Sequence, residues 1–257
     1  MILSHRFRYI FLHCRKAAGS SATAYLNRYL GPDDLQVGTW ADSIKFGGKY
    51  NRKLILDLVS WKGVRALAQH SAIRLAKGRI PKGPDLINSA HKDLYRGVLG
   101  DKPEQPLASE VKQFAPTEWE TYFKFCFVRN PFDRAVSDYR WRTHGKPDIS
   151  FLEFLERVAD PARPDPEHIV PNPRSNWPIY TIDDQIAVDF VGRFERFADD
   201  LAHVCNTLSI PFDAASIPFA KKSSGTARGY RDWYGEREKV LVARLFAHEI
   251  DQFGYTF

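Results

Sequence analysis

Two short apolar runs in the chain are each followed by a turn of small or polar residues and then by a helical pattern. The first run is "YIFLHC" (Tyr9–Cys14), whose aromatic and β-branched residues are typical of a strand buried on both faces. Behind it, "SATAYLNRYL" places apolar residues at helical spacing until Gly31 and Pro32 end the pattern. We therefore predict a strand, a turn and a helix at the start of the chain.

The second run, Tyr122–Val128, predicts another buried strand. Asn130 is a favoured N-cap, Pro131 fits the first helical position, and Asp133 suits the first turn. These residues predict a helix from Pro131 to about Arg142.

The remaining patterns predict mostly helices. "SFLEFLERVAD" is a third helix, "IAVDFVGRFERFADDLAHVCNTLSI" is a short strand turning into a helix, and "EREKVLVARLFAHEIDQFGYTF" is one closing amphipathic helix. We predict a helix with an interruption at Gly63 in "NRKLILDLVSWKGVRALAQHSAIRLAKG" and a short helix in "LASEVKQFAPTEWETYF". We predict exposed connections in "KGRIPKGPDLIN" and "GDKPEQP", which are rich in proline and glycine. Alternating strands and helices indicate a three-layer α/β fold, with a mostly parallel central sheet flanked by helices. We expect one domain over residues 1–257, in which residues 32–120 are a variable, substrate-specific region.

Composition narrows the class of protein. The 257 residues carry a net charge of +6. This charge favours anionic partners such as nucleotides, sulfated sugars, nucleic acid or a membrane surface, or else only increases solubility.

No window approaches 18 apolar residues, and the N-terminus lacks a signal-peptide pattern, so we expect a cytoplasmic protein without a transmembrane segment. Three distant cysteines without a CxxC motif predict buried free thiols and neither a zinc site nor disulfides.

The turn after the first strand, "RKAAGSS" (residues 15–21), has the composition of an anion-binding loop. It follows a predicted parallel strand, where α/β folds bind ligands, and it opens a helix whose N–H groups attract anions. Ser20 and Ser21 add hydroxyl donors or cap the helix, and Lys16 adds a positive charge. Lys16 precedes Gly19, whereas in the common P-loop the lysine follows the last glycine. A simple helix-capping turn is the structural alternative.

A second anion site is predicted behind the second strand. Arg129 ends that strand, and Ser137 lies eight residues later, about two helical turns away. A guanidinium binds phosphate through two donors, although Arg129 pairing with an acid is the structural alternative. Two separate anion sites favour a single ligand that has phosphates at both ends. A nucleoside triphosphate would instead bind at one anion site, together with a carboxylate side chain that holds its metal ion.

These two segments together resemble the sulfotransferases that use 3′-phosphoadenosine-5′-phosphosulfate (PAPS), in particular the carbohydrate-type family 2 with its bacterial members. "FVRNPFDRAVSDY" (Phe127–Tyr139) matches the second motif of that family almost letter for letter. "FLHCRKAAGSS" resembles its 5′-phosphosulfate loop, with Arg15 in place of a proline and Ala17 in place of a threonine. The C-terminal part is similar too, in "VDFVGRFERF", "YRDWY" and "FGY". The resemblance implies a P-loop-like fold.

The resemblance implies that the chain transfers a sulfuryl group from PAPS to a hydroxyl of a carbohydrate or glycolipid, leaving 3′-phosphoadenosine 5′-phosphate (PAP) and using no metal. It implies that Lys16 is catalytic, stabilising the charge on the bridging oxygen between phosphate and sulfate. The residues that it assigns to the cofactor are Arg15, Lys16, Ala17, Ala18, Gly19, Ser20 and Ser21 around the 5′-phosphate, Arg129 and Ser137 at the 3′-phosphate, and Arg193 and Arg228, in the basic loop Lys221–Arg228, as further contacts.

Transfer to an alcohol also needs a base for the acceptor hydroxyl. Related carbohydrate enzymes use a histidine or glutamate between the two motifs, and at the place expected for the histidine this chain has Gln105. The candidate bases are then His91 and, as the alternative, Glu104, with His13 and His70 behind them. Each histidine is equally explained as a non-catalytic residue. The aromatic residues Trp177 and Tyr180 predict an acceptor wall or simple packing.

The sequence leaves three alternative functions open. A P-loop kinase is disfavoured because GxxxxGK[ST] is absent from the sequence. A non-catalytic module would bind PAP and transfer nothing. Nucleic-acid binding is the weakest alternative, because the basic residues are dispersed and no stacking motif is present.

Overall fold

The computed structural model describes residues 1–80, 83–146, 148–218 and 229–257. The strands are β1 Ile2–Ser4, β2 Tyr9–Leu12, β3 Leu35–Gln36, β4 Phe123–Val128, β5 Thr181–Ile182, β6 Gln185–Ile186 and β7 Phe190–Arg193. Five of them form a sheet in the order β3-β1-β2-β4-β7, and β5 pairs with β6 in a small second sheet. β2, β4 and β7 are parallel neighbours, whereas β1 is antiparallel to both β2 and β3. The predicted α/β fold with a mostly parallel sheet is confirmed.

Helices precede, follow and connect these strands. The helices are α1 Gly19–Asn27, α2 Trp40–Lys45, α3 Arg52–Val59, α4 Trp61–Ala76, α5 Gly83–Tyr95, α6 Ala108–Phe114, α7 Pro116–Thr121, α8 Pro131–Thr143, α9 Phe151–Ala159, α10 Trp177–Tyr180, α11 Phe197–Thr207, α12 Glu236–Leu245 and α13 Ala247–Phe253. As predicted, Asn130 caps α8, because its side-chain oxygen accepts a hydrogen bond from the Phe132 N–H at 3.0 Å.

The sheet is buried on both faces because its apolar residues alternate between two cores. Tyr9 and Phe11 of β2 pack with Phe125 and Phe127 of β4 against α1 and α11. The intervening residues of the same two strands, Ile10, Leu12, Cys126 and Val128, belong to the opposite core with α6 and α7. This period of two places one apolar set on each face and produces the three layers.

Three helix boundaries differ from the predicted ones. The break between α3 and α4 lies at Ser60, which caps α4, and not at Gly63. Gly63 is inside α4, where a Cβ would lie 2.2 Å from the main-chain oxygen of Asp57, so the close approach of α3 requires glycine. Residues 83–88, predicted as part of an exposed connection, form the start of α5, because Pro84 is tolerated in a first turn where no intrahelical N–H bond is made.

The closing helix is divided in two at Phe246, which has a φ of −123°. At this break, Phe246 and Glu249 both contact the guanidinium of Arg134. The ring of Phe246 lies 4.4 Å from the Arg134 guanidinium carbon, and Glu249 of α13 forms an ion pair with Arg134. The sequence pattern alone does not reveal this break, because the apolar spacing continues across it.

Two composition-based expectations have structural counterparts. Cys14, Cys126 and Cys205 are buried free thiols, as predicted. Among the described residues, no helix combines the length and the apolar character needed to cross a membrane.

Candidate anion-binding and active site

Three parallel strands end side by side at one edge of the sheet. The loop of residues 13–18 follows β2, Arg129 follows β4, and Arg193 ends β7. In the register of the sheet, Cys126 pairs with Leu12, and Val128 pairs with Arg193. The predicted anion-binding segments therefore meet at the edge where α/β folds bind their ligands.

The loop between β2 and α1 contains two residues with left-handed backbone conformations. Lys16 and Ala18 have left-handed φ values of 60° and 61°, a conformation that points successive N–H groups toward a common side. Ala18 is the N-cap of the nine-residue α1 and makes no side-chain capping bond. Ser20 and Ser21 lie within the first turn of α1, so the predicted capping role is wrong. The first-turn N–H groups have no intrahelical acceptor and suit an anion.

Gly19 is required by a close contact within the loop. A Cβ at this position would lie 2.2 Å from Cδ2 of His13, so any side chain would displace the imidazole ring. His13 is buried directly after β2, and its ring packs against Gly19 at the start of α1.

Arg15 anchors the loop to α8, and its side chain does not point to an anion site, contrary to the prediction from the resemblance. It is buried, and its Nε donates to Asp138 at 2.6 Å. Its two terminal nitrogens donate to the main-chain oxygens of Pro173 and Arg174 at 3.0 and 3.4 Å. Burial acts to raise the pKa of Asp138, but Arg15 and Arg142 outweigh burial and hold that pKa below its usual range.

Arg129 joins the two predicted anion-binding segments. Its Nη1 donates to the main-chain oxygen of Lys16 at 3.3 Å. Its Nε and Nη2 contact Asp133 Oδ2 at 2.8 and 2.7 Å, and its guanidinium carbon lies 4.1 Å from the ring centroid of Phe194. A guanidinium has five N–H donors, so these contacts leave two donors for a ligand. Arg129 therefore pairs with Asp133, as one alternative predicted, and still has donors that could bind an anion, as the other predicted.

One side of α8 faces the loop. Trp141 is 58% exposed, and the Lys16 ammonium lies 5.8 Å from its ring centroid. Ser137 is half-buried and precedes Trp141 by four residues, so both lie on the same side of the helix. The sequence reasoning missed Trp141, although its spacing from Ser137 carried the signal.

Arg193 lies beside an open depression of about 450 Å³ that is lined by Arg193, Glu195, Arg196 and Tyr255. The guanidinium of Arg193 donates to the Phe253 main-chain oxygen at 2.9 Å and lies 5.3 Å from the Tyr255 ring. The depression adjoins Arg129, because Glu195 accepts a hydrogen bond from the Asn130 N–H at 2.7 Å. Arg228 and the loop Lys221–Arg228 lie outside the described residues.

His91 is fully buried between helices and is not presented to an acceptor. Its Nδ1 accepts a hydrogen bond from the Trp40 indole N–H at 3.3 Å, and its Nε2 lies 3.0 Å from Asp57 Oδ2. An indole nitrogen only donates, so Nδ1 carries no proton and Nε2–H donates to Asp57. Both ring nitrogens are thus engaged, and the structure corrects the prediction of His91 as the base.

A family model described as "Sulfotransferase family" matches residues 1–255. The chain belongs to the sulfotransferase family. The match covers both the loop and α8, so the resemblance inferred from the two motifs is confirmed.

Individual relatives in the sulfotransferase family are distant. Carbohydrate sulfotransferase 14 of Mus musculus is 32% identical over 35% of this chain and 30% of the relative, and that of Homo sapiens is 31% identical with the same coverage. An uncharacterized protein of Archaeoglobus fulgidus is 29% identical over 36% of this chain and 72% of its own length. The chain thus spans about a third of the length of the carbohydrate sulfotransferases that it matches. No solved structure matches it significantly.

Glu104, the other predicted base of this sulfotransferase-family chain, lies near the end of β3. Its side chain is 24% exposed, and Lys92 donates to its Oε1 at 3.0 Å. A Cβ on Gly38, just beyond β3, would lie 2.4 Å from the Glu104 Cβ, so the glycine permits this packing. The main-chain oxygen of Glu104 accepts a hydrogen bond from the Met1 ammonium at 2.8 Å, which places Glu104 beside the start of β1, the neighbour of β2.

The remaining predicted residues have mainly structural contacts. His70 forms an ion-pair contact with Asp93 at 2.6 Å, which links α4 to α5. Tyr180 is buried, and its hydroxyl donates to Glu249 at 3.0 Å, so it is a core residue and not part of an acceptor wall. Trp177 is half-buried and stacks on His248 with 5.4 Å between ring centroids.

The His91–Asp57 pair predicts a pH-dependent stability of the sulfotransferase-family fold. Burial lowers the pKa of His91 below 6.5, although Asp57 opposes this shift. Burial acts to raise the pKa of Asp57, but hydrogen bonds from His91, Lys53 and Tyr95 outweigh it and lower the pKa to about 2. The unfolded chain therefore binds more protons below pH 6.5 at His91, and below pH 3.8 at Asp57.

We accordingly expect the free energy of unfolding to fall as the pH drops below about 6.5, and to fall again from about pH 3.8 toward 2. Urea unfolding at several pH values measures this dependence. His91→Gln keeps hydrogen-bonding groups without titrating and should flatten the first decline. His144→Gln, at an exposed histidine that forms no ion pair within the described residues, is the matched control and should retain the first decline. A decline of the same size in His91→Gln would contradict the assignment.

Proposed function

We propose that this chain is a PAPS-dependent sulfotransferase that transfers a sulfuryl group to a hydroxyl of a carbohydrate or glycolipid. One observation carries the proposal. Arg129 donates a hydrogen bond to the main-chain oxygen of Lys16, across 113 positions of sequence, and so joins the two segments that were predicted to bind anions. A site with two separated positive groups suits a nucleotide that has phosphates on both sides of its ribose.

The donor groups of the chain fit PAPS. The N–H groups of the α1 N-terminus, the hydroxyls of Ser20 and Ser21, and Lys16 would hold the 5′-phosphosulfate. The two remaining donors of Arg129, with the hydroxyl of Ser137, would hold the 3′-phosphate. The depression beside Arg193 has a volume within the range of small-molecule sites, which supports a place there for the rest of the nucleotide.

PAPS, when bound, supplies an activated sulfuryl group. Lys16 would supply a positive charge to the oxygen that becomes negative as the sulfuryl group leaves, and would act mainly in the transition state. Glu104 is our proposed base, since its carboxylate is partly exposed and Lys92 fixes its orientation. It would accept the proton of the acceptor hydroxyl. Trp141, exposed beside Lys16, offers an apolar face for a sugar ring.

The relatives support a saccharide acceptor. Three proteins that this chain matches carry the name carbohydrate sulfotransferase 14. The shared part includes only about a third of each relative, so the acceptor is inferred here from those names and from the exposed aromatic residue beside the loop.

A second candidate function is a module that binds PAP without catalysis. The engagement of both ring nitrogens of His91 favours it, because the histidine expected to act as base is occupied. The two functions share the nucleotide site and differ only in turnover.

The proposed donor site is tested by calorimetric titration of PAP into the wild-type chain and Arg129→Ala. Loss of a charged phosphate contact should weaken PAP binding by about ten- to a hundredfold. Arg244→Ala, at an exposed arginine of α12, is the matched control and should bind as the wild type does. Circular dichroism confirms that each variant is folded.

Three outcomes discriminate between the candidates. PAP binding with sulfuryl transfer from PAPS to hydroxyl-bearing sugars supports the enzyme, whereas binding without transfer to any tested acceptor supports the module. A folded wild-type chain that binds no PAP would overturn both.

A further inference from the structure

Helices α3 and α4 carry an unusual number of exposed large apolar side chains. Trp61 is 81% exposed, and it is surrounded in sequence by others that are at least 42% exposed. The exposed large apolar residues of this segment are Ile55, Leu56, Val59, Trp61, Val64, Ile73, Leu75 and Ile80. Large contiguous apolar patches on soluble proteins mark interaction sites, so a segment with this many exposed apolar side chains is a candidate interaction surface.

The apolar residues of α4 lie on the side that faces away from the protein. The inner side contains the buried Gly63 and Ala66, together with His70, which contacts Asp93 of α5. On the opposite side, Trp61, Val64 and Leu75 recur at helical spacing, with the small exposed residues Ala68 and Ala72 between them. From Trp61 to Leu75 this apolar stripe is about 21 Å long. We call the exposed apolar and basic side chains of residues 52–80 the outer helical face.

The same segment contains the entire net charge of the chain. Residues 52–80 hold seven of the 37 Lys and Arg residues and one of the 31 acidic residues, giving +6. The other residues are therefore balanced, with thirty of each sign. The basic residues of the segment are Arg52, Lys53, Lys62, Arg65, Arg74, Lys77 and Arg79.

Most of these charges are not neutralised by the protein itself. Arg52 pairs with Asp33 and Lys53 with Asp57, both at 2.6 Å. Within the described part of the chain, the other five form no ion pair. On α4, the exposed Lys62 and Arg65 flank the apolar stripe next to Trp61 and Val64, so unpaired charge adjoins exposed apolar area there.

We propose that the outer helical face binds the surface of an anionic lipid membrane. A tryptophan and aliphatic side chains flanked by Lys and Arg are the groups that interfacial helices use, the apolar ones entering the boundary of the acyl chains and the basic ones pairing with headgroups. A second copy of this chain is a poorer occupant, because two faces that each carry unpaired basic side chains would repel each other. This inference goes beyond the proposed function and does not depend on it.

The test is sedimentation of the full chain with lipid vesicles, at low and at high salt. One set of vesicles contains phosphatidylcholine alone, and the other contains phosphatidylcholine and phosphatidylglycerol at roughly 3:1, a surface that attracts basic residues. Trp61→Ser combined with Leu75→Ser removes apolar contact, and Lys62→Glu combined with Arg65→Glu reverses charge. Val240→Ser and Arg244→Glu, at exposed positions of α12, are the matched controls.

We expect the wild type and both controls to bind the anionic vesicles and not the neutral ones, with weaker binding at high salt. The apolar variant should bind at least about tenfold less, and the charge variant, which replaces two attractive charges by two repulsive ones, at least about thirtyfold less. Failure of the folded wild type to bind anionic vesicles would overturn the proposal. So would equal losses in the controls, or a dimer in light scattering that Trp61→Ser dissolves, which would assign the face to a second copy. PAP titration of the same samples reports on the proposed donor site separately.

Discussion

Lys16→Ala is expected to lower kcat for sulfuryl transfer by about 10²–10³-fold, with a smaller rise in KM for PAPS, because Lys16 is proposed both to hold the phosphosulfate and to stabilise the transition state. In the proposed mechanism, the bridging oxygen that Lys16 would contact is uncharged before the reaction and becomes negative only as the sulfuryl group departs. A positive charge at that point therefore stabilises the transition state far more than the bound donor. Initial rates at several PAPS concentrations, with a hydroxyl-bearing sugar as acceptor, separate the two constants.

Two variants complete the Lys16 experiment. Lys112→Ala removes a lysine from the exposed face of α6, where it pairs with Glu120 at 3.4 Å, and should leave both constants unchanged. Lys16→Arg keeps the charge but spreads it over a planar group, so partial activity is expected. If Lys16→Ala raised KM alone and left kcat intact, the lysine would be a binding residue and its catalytic assignment would be wrong.

Glu249→Ala is expected to lower the free energy of unfolding by about 3–5 kcal/mol. Glu249 and Arg134 form an ion pair whose side chains are each 2% exposed, and the Tyr180 hydroxyl also donates to this carboxylate. Truncation would leave the Arg134 guanidinium buried without its counter-charge, and the cost of that uncompensated charge exceeds the value of the pair itself. Urea unfolding followed by circular dichroism measures the change.

The control for this experiment is an ion pair of the same type at the surface. Arg52 and Asp33 lie 2.6 Å apart with side chains 61% and 57% exposed, so Asp33→Ala should have no measurable effect. Equal effects of the two substitutions would contradict the importance of burial. Glu249→Gln should fall between them, because the amide still accepts hydrogen bonds but carries no charge.

The fold was predictable where local signals agreed with the tertiary structure. β4 and α8 follow from an apolar run, an N-cap and a proline at the first helical position, each of which acts within a few residues. β1 was not predicted, since three residues carry no periodicity and its pairing with β2 and β3 is a tertiary property. The division of the last helix at Phe246 likewise depends on Arg134, which lies far away in sequence.

The sequence predicted which segments of the candidate site lie together, but it predicted less well where individual side chains point. That residues 15–21 and Arg129 belong to one site follows from strand ends at a shared edge. That Arg15 points inward depends on Asp138, 123 positions later, and no local pattern reveals such a partner. The burial of His91 depends in the same way on Trp40 and Asp57.

The ion pair between Arg15 and Asp138 has a consequence for how quickly a donor binds. All three nitrogens of the Arg15 guanidinium are engaged by α8 and by the segment at Pro173 and Arg174, so the loop is already held in its left-handed turns before any ligand arrives. Its conformational entropy is lost during folding and not during association. Nucleotide association should therefore follow a single rapid phase whose rate rises in proportion to concentration, with no slow rearrangement to limit it.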